Sequence, residues 1–173
     1  YSIIARHEGV ILVESELGKG TTFSIYLPAV PGKVVPTETV AAPVRTGKGR
    51  ILLMDDEDII LELSRRLLDR LGYSVEIAHD GAEAIEKYRQ AMEHHQPFDL
   101  VIMDLTVKGG MGGKEAMQHL KKLDPAVRSI VSSGYSNDPI MADYKRYHFN
   151  EILSKPFRVE ELTEKIQKVL KVT

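Results

Sequence analysis

Three carboxylates and one lysine are the residues whose types and spacing could do chemistry. Asp104 closes a short apolar run, Leu100-Val101-Ile102-Met103, inside the stretch Phe98–Thr106 (FDLVIMDLT). Asp55-Asp56 close a second run, Ile51-Leu52-Leu53-Met54, and Lys155-Pro156 follow a third, Glu151-Ile152-Leu153-Ser154. Runs of this kind read as strands buried on both faces of a parallel sheet. In such sheets ligands bind in the crevice outside the carboxyl ends of the strands. Two adjacent strands ending in acids would bring three carboxylates to one edge. That cluster repels itself unless a hard cation or a lysine compensates, and the third run can supply the lysine.

The elements that must position these residues alternate from Arg50 onward. A helical stripe over Glu57–Leu71 (Ile60, Leu63, Leu67, Leu68, Leu71) is closed by Gly72. Ser74–Ala78 reads as a strand, Gly81–His94 as a helix, and Gly113–Leu123 as a helix through Ala116, Met117 and Leu120. Ala126–Ser132 is expected to be the fourth strand, Asn137–Tyr147 a helix with a weak stripe, Asn150–Leu153 the fifth strand, and Val159–Val172 the final amphipathic helix. Repeats of strand and helix at this spacing build a doubly wound α/β sheet.

At these residues the sequence resembles the receiver domain of two-component signalling, over about 50 to 172. The resemblance rests on the acidic pair after the first strand and the lone Asp104 after the third. Ser133 before Gly134 and the Lys155-Pro156-Phe157 triplet complete it. It implies a flavodoxin-like five-stranded parallel sheet in the order 2-1-3-4-5. It also implies that Asp104 is the phosphoacceptor, attacking a phosphohistidine phosphorus in line, with Lys155 and Ser133 serving the transferred group. Asp56, Asp104 and the backbone carbonyl of Thr106 would ligate Mg2+ directly, and Asp55 would act through water. Oxygen ligands with retained waters suit that ion. A cis Lys155–Pro156 bond is a further implication. The partners implied are a histidine-kinase phosphodonor domain, in cis or in trans, and a histidine phosphotransfer protein.

Each of these residues also has a plainer role. Asp55 and Asp56 could cap the helix that starts near Glu57 and favour its dipole, which would account for one of them. Lys155 could be a surface lysine and Ser133 a turn hydroxyl, with Ser132 the lesser candidate on strand alternation. The convergence of all of them on one sheet edge favours the functional reading. A haloacid dehalogenase-type phosphatase also uses a strand-end Asp and Mg2+, but it wants a second acid where Thr106 stands. The glycine cluster 109–113 is no phosphate loop, because Lys108 replaces its first glycine and Glu115 its magnesium-binding Ser or Thr. Two departures from the receiver pattern stand out. Lys108 occupies a position where receivers usually carry proline, and Ile152 one where they often carry an aromatic, for which Tyr135 is a candidate substitute.

Residues 1–28 have another character. Val10–Glu16 and Thr21–Leu27 read as a hairpin about Leu17-Gly18-Lys19-Gly20. From Ser2-Ile3-Ile4 through His7 to Val13-Glu14-Ser15, and again over Gly18-Lys19-Gly20-Thr21-Thr22-Phe23 to Leu27-Pro28, the stretch resembles the end of a histidine-kinase ATP-binding domain. The nucleotide-binding boxes of that family are not in this sequence, so the remnant is expected to bind no ATP. Its apolar strands are expected to pair with a second copy or to be poorly ordered. Residues 29–49, with Pro31, Pro36 and Pro43, read as a linker spanning roughly 25 Å. The domain reading is therefore 1–28 kinase remnant, 29–49 linker and 50–173 receiver, from a hybrid histidine kinase.

Composition narrows the rest. The 173 residues carry a net charge of −2, so no basic field points to nucleic acid. With no cysteine, disulfide frameworks and thiolate metal sites are excluded. No apolar run reaches the length of a membrane span, and the expected location is cytoplasmic, with the parent attached to a membrane only through upstream segments. The chain begins without Met and in mid-pattern, so a longer parent is expected. The histidines include no pair at metal spacing, and His7 is followed by a strand pattern rather than a phosphodonor helix.

Overall fold

In the computed structural model, which describes residues 2–29, 47–134 and 139–171, the chain falls into two units, Tyr1–Ala41 and Ala42–Thr173. The first contains a short helix α1 (Ser2–Arg6) and the antiparallel strands β1 (Val10–Glu16) and β2 (Gly20–Tyr26). Val10 pairs with Tyr26 and Val13 with Phe23, and Gly18 takes the left-handed backbone of the turn at φ 79°. Val10, Leu12, Phe23 and Ile25 are all more than half exposed. Most of the expected linker, residues 30–46, lies outside the described residues.

In the second unit, strand alternation sorts the core. The strands are β3 (Arg50–Met54), β4 (Ser74–Ala78), β5 (Leu100–Asp104), β6 (Ser129–Ser133) and β7 (Glu151–Ser154). They form a parallel sheet in the order β4-β3-β5-β6-β7, the expected 2-1-3-4-5. Between them run α2 (Asp58–Leu71), α3 (Gly81–Glu93), α4 (Gly113–Leu123), α5 (Pro139–Ala142) and the closing α6 (Val159–Lys171). Ile51, Leu53, Leu100, Ile102, Ile130 and Leu153 pack with Leu61 and Leu68 of α2 and Leu162 and Ile166 of α6. Their sequence neighbours Leu52, Met54, Val101, Met103 and Val131 pack with Tyr88 of α3 and Met117 and Leu120 of α4. A side-chain period of two divides one apolar run between two cores.

Local chemistry sets the ends. Gly72 caps α2 in the left-handed region at φ 100°, and Asp80 caps α3 by accepting from the Glu83 N–H. Among the described residues, backbone bonds of this unit begin at Gly47, whose N–H donates to the Leu71 carbonyl at 3.0 Å. The buried Glu151 pairs with Lys165 (2.7 Å) and Lys168, tying α6 to β7. The Lys155–Pro156 bond is cis. Among the described residues no helix is long and apolar enough to cross a membrane.

Two expected elements shift. The fourth strand starts at Ser129 rather than 126, because Asp124 accepts from the Ala126 N–H at 2.8 Å with its side chain and from the Val127 N–H at 3.1 Å with its carbonyl. That Asx-type turn consumes the residues before the strand. The helix expected over 137–147 is α5 followed by a 3-10 turn, Tyr144–Tyr147, ended by His148 at φ 69°. Residues 137 and 138 are not among those described.

The start of α4 is packed hard against the end of β5. A Cβ on Gly113 would stand 2.6 Å from the Asp104 carbonyl oxygen and 3.2 Å from the Met103 Cβ. Overpacking of this kind costs about 1–3 kcal/mol, whereas an unobstructed helical Gly→Ala exchange gains up to about 1 kcal/mol. We expect Gly113→Ala to destabilise the receiver unit by the former amount in urea unfolding; a gain would mean the contact is slack.

Candidate functional site

Alternation also decides which acids meet. Asp55 continues the parity of Ile51 and Leu53, and Asp104 that of Leu100 and Ile102. Both therefore lie towards α2 and α6, as does Lys155 after Leu153. The Lys155 ammonium donates to Asp104 Oδ1 at 2.6 Å and to Asp55 Oδ2. Its backbone N–H donates to the Ser133 carbonyl at 2.8 Å, which fixes the root of the side chain on β6. The remaining carboxylate oxygens are met by backbone: Asp55 Oδ1 by the Glu57 N–H (3.1 Å) and Asp104 Oδ2 by the Thr106 N–H (3.1 Å). Asp56 faces the other way, to the loop after β5, where its Oδ2 accepts from the Lys108 N–H at 3.2 Å.

The structure thus brings together Asp55, Asp104, Lys155 and Thr106, with Asp56 one position away and Ser133 buried at the end of the neighbouring strand. Asp55 touches Lys155 directly, as its parity with Leu53 allows. One detail differs from expectation: Ser132, expected to point elsewhere, lines a small cavity with Asp55 and Lys155, because it has the parity of Ile130 on that face. The Asp56–Lys108 backbone contact has no sequence signal beyond the loop's closeness to the acid pair. Ile152 is half-buried against the α3–α4 core, and Tyr135 is not among the described residues.

The electrostatics are those of one cation shared by an excess of acids. Asp55 and Asp104 are 2% and 7% exposed. Burial pushes the Asp104 carboxyl above the usual aspartate value, the Lys155 pair opposes that, and the charge of Asp55 adds to it. Burial works against the charge of Lys155 as well, but its bonds to Asp104 and Asp55 outweigh it and hold the ammonium above the ordinary lysine value. Among the described residues, no three His, Asp or Glu side chains form a ready cage for a metal ion, since the ammonium stands between two of the acids. The donor set is all oxygen, and its charge is only partly compensated. Both properties suit a hard divalent cation rather than a transition metal.

Residues 51–167 match the family described as Response regulator receiver domain. The chain belongs to that family. The receiver is 32% identical over 122 residues to the chemotaxis protein CheY of Bacillus subtilis, covering 70% of this chain and 97% of CheY. The whole chain is 32% identical over 179 residues to the sensor kinase CckA of Brucella abortus, covering 98% of this chain. The chain spans 18% of that kinase's length. Among solved structures, the response regulator TrrA of Thermotoga maritima in complex with Mg(2+)-BeF superposes with a TM-score of 0.61 at 32% identity, covering 70% of this chain and 98% of that one. The receiver is thus a module of two-component signalling with a CheY-like fold, and the comparisons lend nothing to the haloacid dehalogenase alternative.

The raised Asp104 carboxyl has a stability signature. Below the ordinary aspartate range both folded and unfolded chains hold its proton. As pH rises, the unfolded chain releases its proton first, so stability falls through that window and stays lower above it. We expect Asp104→Asn to stabilise the receiver at neutral pH by about 1 kcal/mol, the size of one relieved electrostatic conflict. The gain should vanish in urea titrations run below the aspartate range. A variant less stable than wild type at pH 7 would contradict this.

Proposed function

We propose that Asp104 accepts a phosphoryl group from a phosphohistidine, and that the receiver then passes the group on or loses it to water. The observation that carries this reading is the buried strand-end carboxylate with one oxygen on Lys155 and the other on the Thr106 N–H. An Asp104 oxygen attacks phosphorus, the phosphorus–nitrogen bond breaks, and the histidine nitrogen leaves opposite the attacking oxygen. Lys155 is placed to move with the charge, from the carboxylate oxygen it holds to the equatorial oxygens of the transferred group. Ser133, at the end of β6, would bind one of those oxygens. Asp56, Asp104 and the Thr106 carbonyl would hold Mg2+, with Asp55 engaged through water. The ion would supply charge neutralisation at the transferring oxygens.

The same reading extends to the parent chain. The match to CckA along nearly this whole chain supports a hybrid histidine kinase, cytoplasmic in this portion, with residues 1–28 as the end of its ATP-binding domain, 29–49 as linker and 50–173 as receiver. A kinase phosphodonor domain and a histidine phosphotransfer protein are the partners such a relay requires. The exposed apolar strands of residues 1–28 support self-association of this chain in isolation, strand to strand.

Two measurements test these proposals. Incubation with acetyl phosphate and Mg2+ should add one phosphoryl mass to the intact chain, and neither Asp104→Asn nor chelator-treated protein should gain it. Labelling of Asp104→Asn at the wild-type rate would reject the assignment. Light scattering should find the 1–173 chain larger than a monomer and a chain beginning at Lys48 monomeric, whereas two monomers would refute the self-association.

A further inference from the structure

The loop between β5 and α4 is packed closely at two of its glycines. A Cβ on Gly112 would meet the Leu105 carbonyl oxygen at 2.5 Å, and one on Gly110 would meet the Asp80 side chain at 3.0 Å. Gly109, between Lys108 and Gly110, has a left-handed φ of 74° and open space around it. Within this loop the Lys108 N–H is held on Asp56 Oδ2. The root of the lysine side chain is therefore fixed at the mouth of the acid pocket, while the side chain itself is exposed and makes no ion pair among the described residues.

Opposite it stands an acid with an unmet charge. Asp55 and Asp104 share Lys155, but Asp56 has no cationic partner among the described residues. Three carboxylates against one ammonium leave the pocket with a surplus of negative charge. Asp80 also flanks the loop, with its Oδ1 occupied in capping α3. A lysine ammonium on a flexible four-carbon stem, rooted 3.2 Å from the Asp56 carboxylate by its own backbone nitrogen, can fold back onto that carboxylate by rotamer change alone.

We propose that Lys108 is a second, mobile cation of the acid pocket: its ammonium, unpaired here among the described residues, can swing onto Asp56 and compete with a divalent ion for it. The inference rests on the metal-binding reading of Asp56 and Asp104. Lys108 acts on affinity rather than on the reacting atoms: its ammonium must leave, or tolerate, an incoming cation at close range. Because the lysine keeps its backbone bond in any non-proline variant, removing the ammonium isolates the charge effect from loop geometry.

Titration calorimetry of the full chain with MgCl2, without phosphodonor, tests this. Lys108→Ala should bind Mg2+ about three- to ten-fold more tightly than wild type at low ionic strength, the scale of one exposed charge a few ångströms away. Lys108→Arg should stay within two-fold of wild type, on the order of measurement error for a retained charge. The Ala advantage should shrink as KCl is raised, since both groups reach solvent. Equal or weaker affinity in Lys108→Ala, or an advantage indifferent to salt, would overturn the proposal while leaving the metal site standing. Absence of Mg2+ binding in wild type and both variants would instead overturn the metal-site reading, and this inference with it.

Discussion

The ammonium of Lys155, shared between two buried carboxylates, is the interaction on which the site depends. Taking charges out of water costs several kcal/mol per ion, and a buried pair recovers this only when geometry and additional hydrogen bonds are good. Here both carboxylates complete their shells with backbone N–H donors from Glu57 and Thr106, and the lysine backbone is bonded to β6. The cluster is nonetheless uneven. One cation serves two acids at close range with Asp56 nearby, so the lysine is held charged while Asp104 ionises reluctantly. A site built this way is sensitive to any change in the charge of Asp104, because one cation already balances more than one acid.

That arrangement is possible only because the sheet behind it is rigid and its register exact to one residue. A slip of one position in β3 would bring Asp56, not Asp55, into the parity of the core that Leu53 and Leu68 occupy. The two-sided burial of β3, β5 and β6 makes such a slip costly, since every apolar side chain would change core. The same parallel pairing sets Asp104 beside Ser132 and Ser133 beside Ser154, so that the ends of four strands face one crevice. The geometry of the site is thus a by-product of packing that has to be satisfied for the fold to exist.

This explains what was legible in the sequence. Apolar runs ending in Asp55, Asp104 and Lys155 are bounded by turn residues, and helix placement and the converging acids follow from them, whereas the strand order came from the resemblance to receivers. Asp104 was legible for the same reason. What was not legible depends on local side-chain bonds that periodicity does not register. The start of β6 was displaced by three residues because Asp124 folds its own neighbours into a turn. The region 137–147 carries too weak a stripe to reveal a 3-10 turn following a one-turn helix. Ser132 shares the parity of Ile130, whose face is that of Asp55, Asp104 and Lys155, and only the strand pairing fixes that relation.

Lys108 shows a different limit. In the sequence it is only a departure from a pattern, a lysine where proline is usual, with no partner implied by spacing. In the structure its backbone takes a definite role, donating to Asp56, a bond that proline could not make. The substitution therefore adds two things at once: a hydrogen bond that steadies the acid, and a side-chain charge at the mouth of the pocket. The first restrains Asp56; the second is the charge proposed to compete with a divalent ion there. Restraint favours a preorganised site and competition opposes its filling; salt weakens the second, because the exposed ammonium and the part-exposed Asp56 are both screened, and leaves the backbone bond in place.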